Sequence, residues 1–233
     1  MAVKEVALIV GAGEGLSGSF ARLCASQGMD VALGARNPDK LTDLCAETGA
    51  GAHQCDVVDG ASVDAMFDAV VAEKGIPDLV VYNPSARARG PITELDREDF
   101  KNAVLITAYG GFVVGQKAAQ LMLERGSGTI LFTGASASVK GYPNSSSFAM
   151  GKFGLRGLAQ SMARELHPQN IHIGHFVIDG GIVKKSGDDR AAARGEDGML
   201  DPDAIAASYL QFHRQHRSAW SWELEVRPWV EKF

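Results

Sequence analysis

No stretch of this 233-residue sequence stays apolar long enough to cross a bilayer, which takes about 20 consecutive apolar residues. No basic run occurs, and the formal net charge of −5 argues against a surface made for nucleic acid or anionic membrane. Cysteine is scarce. Cys24, Cys45 and Cys55 are scattered, odd in number and without metal-ligand spacing, so neither a disulfide framework nor a thiolate metal site is expected. His213 and His216 stand three apart with no further ligand nearby, which reads as a solvated basic helix end. The first residues run straight into a strand-like segment with no basic leader or cleavage site, so a cytoplasmic protein is expected. Internal repeats and low-complexity linkers are absent too.

What is present suits one α/β domain over residues 1–233, with 45% hydrophobic and 22% charged residues. Val6–Val10 is a continuous apolar run, as expected of a strand covered on both faces. It ends in Gly11-Ala12-Gly13-Glu14-Gly15-Leu16-Ser17-Gly18, after which Phe20, Leu23 and Cys24 recur at helical spacing until Gly28. A glycine-rich turn between a buried strand and a helix lets the backbone approach a pyrophosphate while the helix N-terminus supplies N–H groups. The second strand, Asp30–Ala35, has no acid at its end to hold ribose hydroxyls, and Arg36 stands beside the empty place. Two readings remain there: a ligand for a 2′-phosphate, favouring NADP(H) over NAD(H), or a plain surface arginine.

The remaining order continues the alternation. Strands are expected at residues 53–58, 79–82, 129–132, 171–178 and 220–226. Helices are expected at residues 61–74, within 94–125, from about Phe148 to Leu166, and after Asp201-Pro202-Asp203, where an aspartate cap precedes a proline. Alternating strands and helices with short connections predict a doubly wound, Rossmann-type parallel sheet flanked by helices. Residues 184–198 are polar and read as a mobile lid reaching to about residue 200. Arg227-Pro228-Trp229 with Phe233 would cap a surface or a subunit contact.

Lys152 lies near the start of its helix, where the positive end of the macrodipole disfavours a cation. It is either a ligand's partner or a side chain reaching out to water. Ser147, just before the expected helix start, reads as its cap.

At this point the sequence resembles the short-chain dehydrogenase/reductase family over nearly its whole length. The matching pieces are Val10 to Leu16 for the cofactor glycine motif, Asp56-Val57 for the adenine contact, Tyr82-Asn83-Pro84-Ser85 for the family's Asn-Asn-Ala-Gly segment, and Lys152 with its helix. The resemblance implies cofactor contacts at Gly11, Gly13, Glu14, Gly15, Leu16, Arg36, Asp56, Val57, Asn83, Pro84, Ser85 and Lys152. It also implies a catalytic asparagine, serine, tyrosine and lysine, and of these only Lys152 is retained. Phe148 stands at the tyrosine position, Ala135 at the serine position and Thr107 at or near the asparagine position. Phenylalanine cannot give a proton, and a positioned acid is worth about 10²–10⁴ in rate. Ser136 or Ser138 could restore the serine hydroxyl, and Tyr142 could act as the acid or merely pack at a surface. His175 reads as a buried, hydrogen-bonded histidine.

Three functions remain open. The first is an NADP(H)-dependent oxidoreductase on a small carbonyl or alcohol. The second is a non-catalytic NADP-binding sensor or partner protein. The third is another reaction on the same scaffold, such as an elimination. A homodimer or homotetramer is expected, packed through the long helix and through Gly151, Gly154, Gly157 and Ala163 of the following one.

Overall fold

The computed structural model describes residues 4–184 and 187–231, so Phe233 and two positions of the expected lid, 185 and 186, lie outside the described residues. Along the chain come β1 (Val6–Val10), α1 (Leu16–Ser26), β2 (Asp30–Ala35), α2 (Thr42–Thr48), β3 (Gly51–Gln54), α3 (Gly60–Lys74) and β4 (Leu79–Tyr82). Then follow α4 (Arg97–Val104), α5 (Gly110–Arg125), β5 (Gly128–Thr133), α6 (Ser146–Leu166), β6 (Ile171–Ile178), α7 (Asp189–Arg194), α8 (Pro202–His213) and β7 (Glu223–Val226). The strands form one parallel sheet in the order β3-β2-β1-β4-β5-β6-β7.

Period-two alternation explains the two layers of helices. In β1, Val6, Leu8 and Val10 join an apolar cluster with Phe67, Val114 and Leu155, from α3, α5 and α6. Ala7 and Ile9 point the other way, into a cluster with Phe20, Leu44, Tyr209 and Phe212, from α1, α2 and α8. Both faces are therefore covered, which is why the strands read as unbroken apolar runs. The winding direction reverses between β1 and β4, and the Asn83 N–H donates to the Val10 carbonyl at 3.0 Å. That reversal opens a crevice at the carboxyl ends of the strands.

Four expectations need correction. The third strand is Gly51–Gln54, not residues 53–58. Cys55 makes a last bond to the Ala35 carbonyl, and the Asp56 N–H then turns to the Ser62 hydroxyl, carrying Asp56 and Val57 off the sheet to its edge. The helix within 94–125 is not uniform, because Leu105–Tyr109 is wound as a π-helix between α4 and α5. Such a turn disturbs the regular ladder, and the Tyr82 hydroxyl donates to the Ile106 carbonyl within it. Ser147 is no cap. Ser145 takes that place, and buried Ser147 donates to the Ala88 carbonyl at 2.9 Å while accepting from its N–H at 3.0 Å.

The fourth correction concerns the small residues of α6. A Cβ on Gly151 would lie 2.8 Å from Thr107 Cβ, and Ala163 is buried in the chain's own core, so both serve internal packing. A Cβ on Gly154 would touch Ala108 at 3.2 Å, and only Gly157 faces open space. Among the described residues no helix is long and apolar enough to cross a membrane.

The Gly151→Val protein should be overpacked against the π-helix at a cost of about 1–3 kcal/mol. At this chain length each kcal/mol lowers the melting temperature by about 2–4 °C. Calorimetry should show a drop of several degrees, and an unchanged Tm would mean that Gly151 does not bear on Thr107.

Candidate functional site

The glycine turn after β1 is shaped by its neighbours. Gly11 has φ +80° and donates to the Gly34 carbonyl at 2.9 Å, and a Cβ there would lie 2.7 Å from the Pro84 ring. Gly13 and Gly15 have nothing near their Cβ positions, so the backbone is bare where the crevice begins. Ser17 ties the turn down, donating to the Gly11 carbonyl at 3.1 Å and accepting from Asn83 Nδ2 at 2.7 Å. The first turn of α1 carries no acid and no side-chain cap, which leaves its N–H groups available to an anion. Glu14 would oppose an anion, but Arg22 pairs with it at 3.2 Å.

Gly11, Gly13 and Glu14 line a cleft of about 780 Å³ together with Arg36, Lys40, Asp56, Val57, Asn83, Pro84 and Ser85. Leu16 is buried beneath it, as the first residue of α1. Lys40 escaped the sequence reading because it follows Arg36 by four residues through a 3-10 turn, which folds it back beside the arginine.

A second cavity, of about 660 Å³, shares Asn83 and Ser85 with the first and contains Lys152, Phe148, Ala135, Ser136 and Tyr142. Lys152 does not reach out to water. It is 2% exposed and donates to the Thr133 carbonyl at 2.6 Å, and burial, followed by the nearby Arg87 charge, pushes its pKa down to about 7. Phe148 is buried and carries the Arg87 guanidinium on its face, 3.5 Å from the ring centroid. Thr107 is fully buried, and its hydroxyl accepts from the Ala86 N–H at 3.1 Å, so it stabilises the chain after β4 and does not enter the cavity.

A profile of the short chain dehydrogenases matches residues 5–190. The chain belongs to that family. Its relatives include a D-threitol dehydrogenase of Mycolicibacterium smegmatis, 31% identical over 72% of this chain and 67% of that protein. A short-chain dehydrogenase from Rhodopseudomonas palustris has the same architecture, with 35% identity, TM-score 0.83, and coverage of 97% of this chain and 99% of the other. The actinorhodin polyketide ketoreductase solved with NADPH superposes with TM-score 0.87 over 97% and 96% of the two chains, but at 24% identity it speaks for the fold alone.

Within this short-chain dehydrogenase the two candidate serines part company. Ser136 lines the cavity, whereas Ser138 is fully buried and is not part of that lining. The Ser138 hydroxyl accepts from the Ala135 N–H at 3.1 Å and lies 3.2 Å from His175 Nε2. His175 Nδ1 lies 3.0 Å from Glu223, which Arg156 grips with two bonds of 2.6 and 2.8 Å. Burial holds His175 down at about 4 and hence neutral, so Nδ1 donates to the carboxylate and Nε2 accepts from serine. The constellation imitates a nucleophilic triad, but Ser138 and His175 are both sealed from solvent, and its effect is to brace the loop that carries Ala135 and Ser136. His175 is the buried, bonded histidine the sequence suggested. Arg87 and Arg89 were missed, since a polar link between elements offers no periodicity to read.

An ordinary lysine titrates at about 10.4, so between pH 7 and that value the unfolded chain binds a proton that folded Lys152 does not. The contribution of Lys152 to stability should therefore rise with pH across this window. The melting temperature of the cofactor-free protein should be higher at pH 9 than at pH 7, by a margin that shrinks in Lys152→Met. An equal margin in both proteins would show that Lys152 keeps its charge.

Proposed function

We propose that this chain is an NADP(H)-dependent oxidoreductase interconverting a small-molecule carbonyl and alcohol, with a degenerate catalytic set in which Phe148 stands where the family has tyrosine. The observation that carries this is the meeting of the two cavities at Asn83 and Ser85: the cleft suited to a dinucleotide opens into the space that holds Lys152. The bare backbone at Gly13 and Gly15 would take the pyrophosphate, and Asp56 and Val57 the adenine. Arg36 and Lys40 would take a 2′-phosphate, and a free 2′-hydroxyl would leave both cations unanswered.

Bound nicotinamide would supply or accept the hydride. The proton would be held by Lys152, whose pKa near neutrality suits both giving it and taking it back. Ser136 would direct the substrate oxygen, and Tyr142, 43% exposed on the cavity rim, would cover it. Residues 1–233 are read as one dinucleotide-binding domain and residues 184–200 as a lid, whose Arg190 and Arg194 line the cavity. A homodimer or homotetramer would bury Tyr109, Phe112, Met150 and Phe153, all exposed on the α5 and α6 side. A second reading, a non-catalytic NADP-binding sensor or partner protein, is favoured by the absence of a hydroxyl on Phe148 and Ala135.

Fluorescence titration should show NADPH bound more tightly than NADH, with at least a tenfold loss for NADPH alone in the Arg36→Ala, Lys40→Ala double variant. Equal affinity for both dinucleotides would remove the preference. With NADPH and a panel of carbonyl compounds, reduction should slow as pH rises past about 7, because Lys152 loses the proton it must give. Lys152→Met should lower the rate by about 10²–10⁴. Tight NADPH binding with no turnover of any compound would move the conclusion to the second reading.

A further inference from the structure

The cavity beside Lys152 is unusually positive for a chain of net charge −5. Arg87, Arg89, Arg190, Arg194 and Lys152 line it, against Asp179 and Glu231. Two of these charges are already answered. Arg190 is gripped by Asp188 through its Nε and Nη2, and Asp179 is paired with Lys140 at 3.4 Å and Arg227 at 3.7 Å. Arg87, Arg89 and Arg194 have no carboxylate partner among the described residues, and Glu231 is the remaining acid on that wall.

The unmatched arginines are not scattered. Arg87 and Arg89 stand in the segment after β4, and Arg194 closes α7; all three line the same cavity. Arg87 is anchored by the Phe148 face, which leaves its N–H edges for a ligand. It also sits close enough to Arg89 for that charge, after burial, to lower its pKa. Two guanidinium groups held together without a counterion repel each other, and an anion between them removes the repulsion. Guanidinium edges match carboxylate and phosphate oxygens in pairs. The cations that would hold the cofactor's 2′-phosphate, Arg36 and Lys40, stand in the other cleft.

We propose that the substrate of this site is itself an anion, a carbonyl or alcohol compound bearing a carboxylate or phosphate, held by Arg87 and Arg89 with Arg194 lining the same cavity. This rests on the oxidoreductase reading for the carbonyl half of the molecule and on the arginines alone for the anionic half.

Calorimetric titration into NADPH-saturated protein tests it with two matched pairs: levulinate against methyl levulinate, and dihydroxyacetone phosphate against dihydroxyacetone. The expected result is that at least one anion binds ten times or more tightly than its neutral partner, and that added salt weakens it. The Arg87→Ala, Arg89→Ala double variant should lose this preference while NADPH affinity, which reports an intact fold, stays unchanged; Arg89→Lys should retain part of it. Equal binding within both pairs, no binding of either anion, or full anion affinity in the double variant would each overturn the proposal. So would anion binding to cofactor-free protein that vanishes once NADPH saturates, because the arginines would then serve the cofactor. Anion binding with no turnover supports this proposal and counts against the oxidoreductase reading; turnover of the neutral members alone does the reverse.

Discussion

Lys152, on α6, donates its ammonium to the Thr133 carbonyl at the end of β5, and no carboxylate among the described residues pairs with it. Taking a charged amine out of water is costly, and the protein answers by lowering the group's pKa to about 7, so that at neutral pH the ammonium and the amine have similar free energies. The neighbours keep it in this state. Phe148 supplies an apolar wall, and Arg87, stacked on that wall, adds a like charge. A carboxylate in place of either would fix the lysine as a permanent cation.

Close packing around α6 holds this arrangement together. The π-helix Leu105–Tyr109 brings Thr107 against Gly151, and a Cβ at Gly111 would meet Leu155 at 2.4 Å, so the two helices approach to backbone distance one turn from Lys152. Tyr82 supports the same place from the sheet by bonding the Ile106 carbonyl. On the far side of β5, Arg156, Glu223, His175 and Ser138 brace the loop that presents Ser136. Interiors packed this densely transmit small displacements, and both supports bear on the cavity.

Charge is divided with similar economy. An acid that would repel a phosphate is held aside, as Glu14 is by Arg22, and an acid within the second cavity is occupied, as Asp179 is by Lys140 and Arg227. What remains is a pair of cations at the end of β2 and a separate set around Phe148. A net charge of −5 describes neither place, because a site feels the nearest groups and distant charges are screened within about 10 Å.

The sequence by itself determined most of the sheet, although β3 runs Gly51–Gln54 and β7 only Glu223–Val226 where 53–58 and 220–226 were expected. β2, β4 and β6 occupy the residues expected of them, because strands covered on both faces must be continuous apolar runs, and the aspartate cap with its proline marked the start of α8. It also marked the glycine turn, Arg36 and Lys152, whose local patterns are short and close in the chain. The end of β3, the π-helix and the burial of Ser147 were invisible, since each depends on a bond to a residue far away or on a neighbouring helix: Asp56 turns to Ser62, and Ser147 to Ala88 some 59 positions earlier. The same holds for the site. Only the fold decided that Lys40 returns beside Arg36, that Ser138 faces His175 while Ser136 faces the cavity, and that Arg87 lies on Phe148, because hydrogen bonds, burial and charge act through space and the sequence records only order.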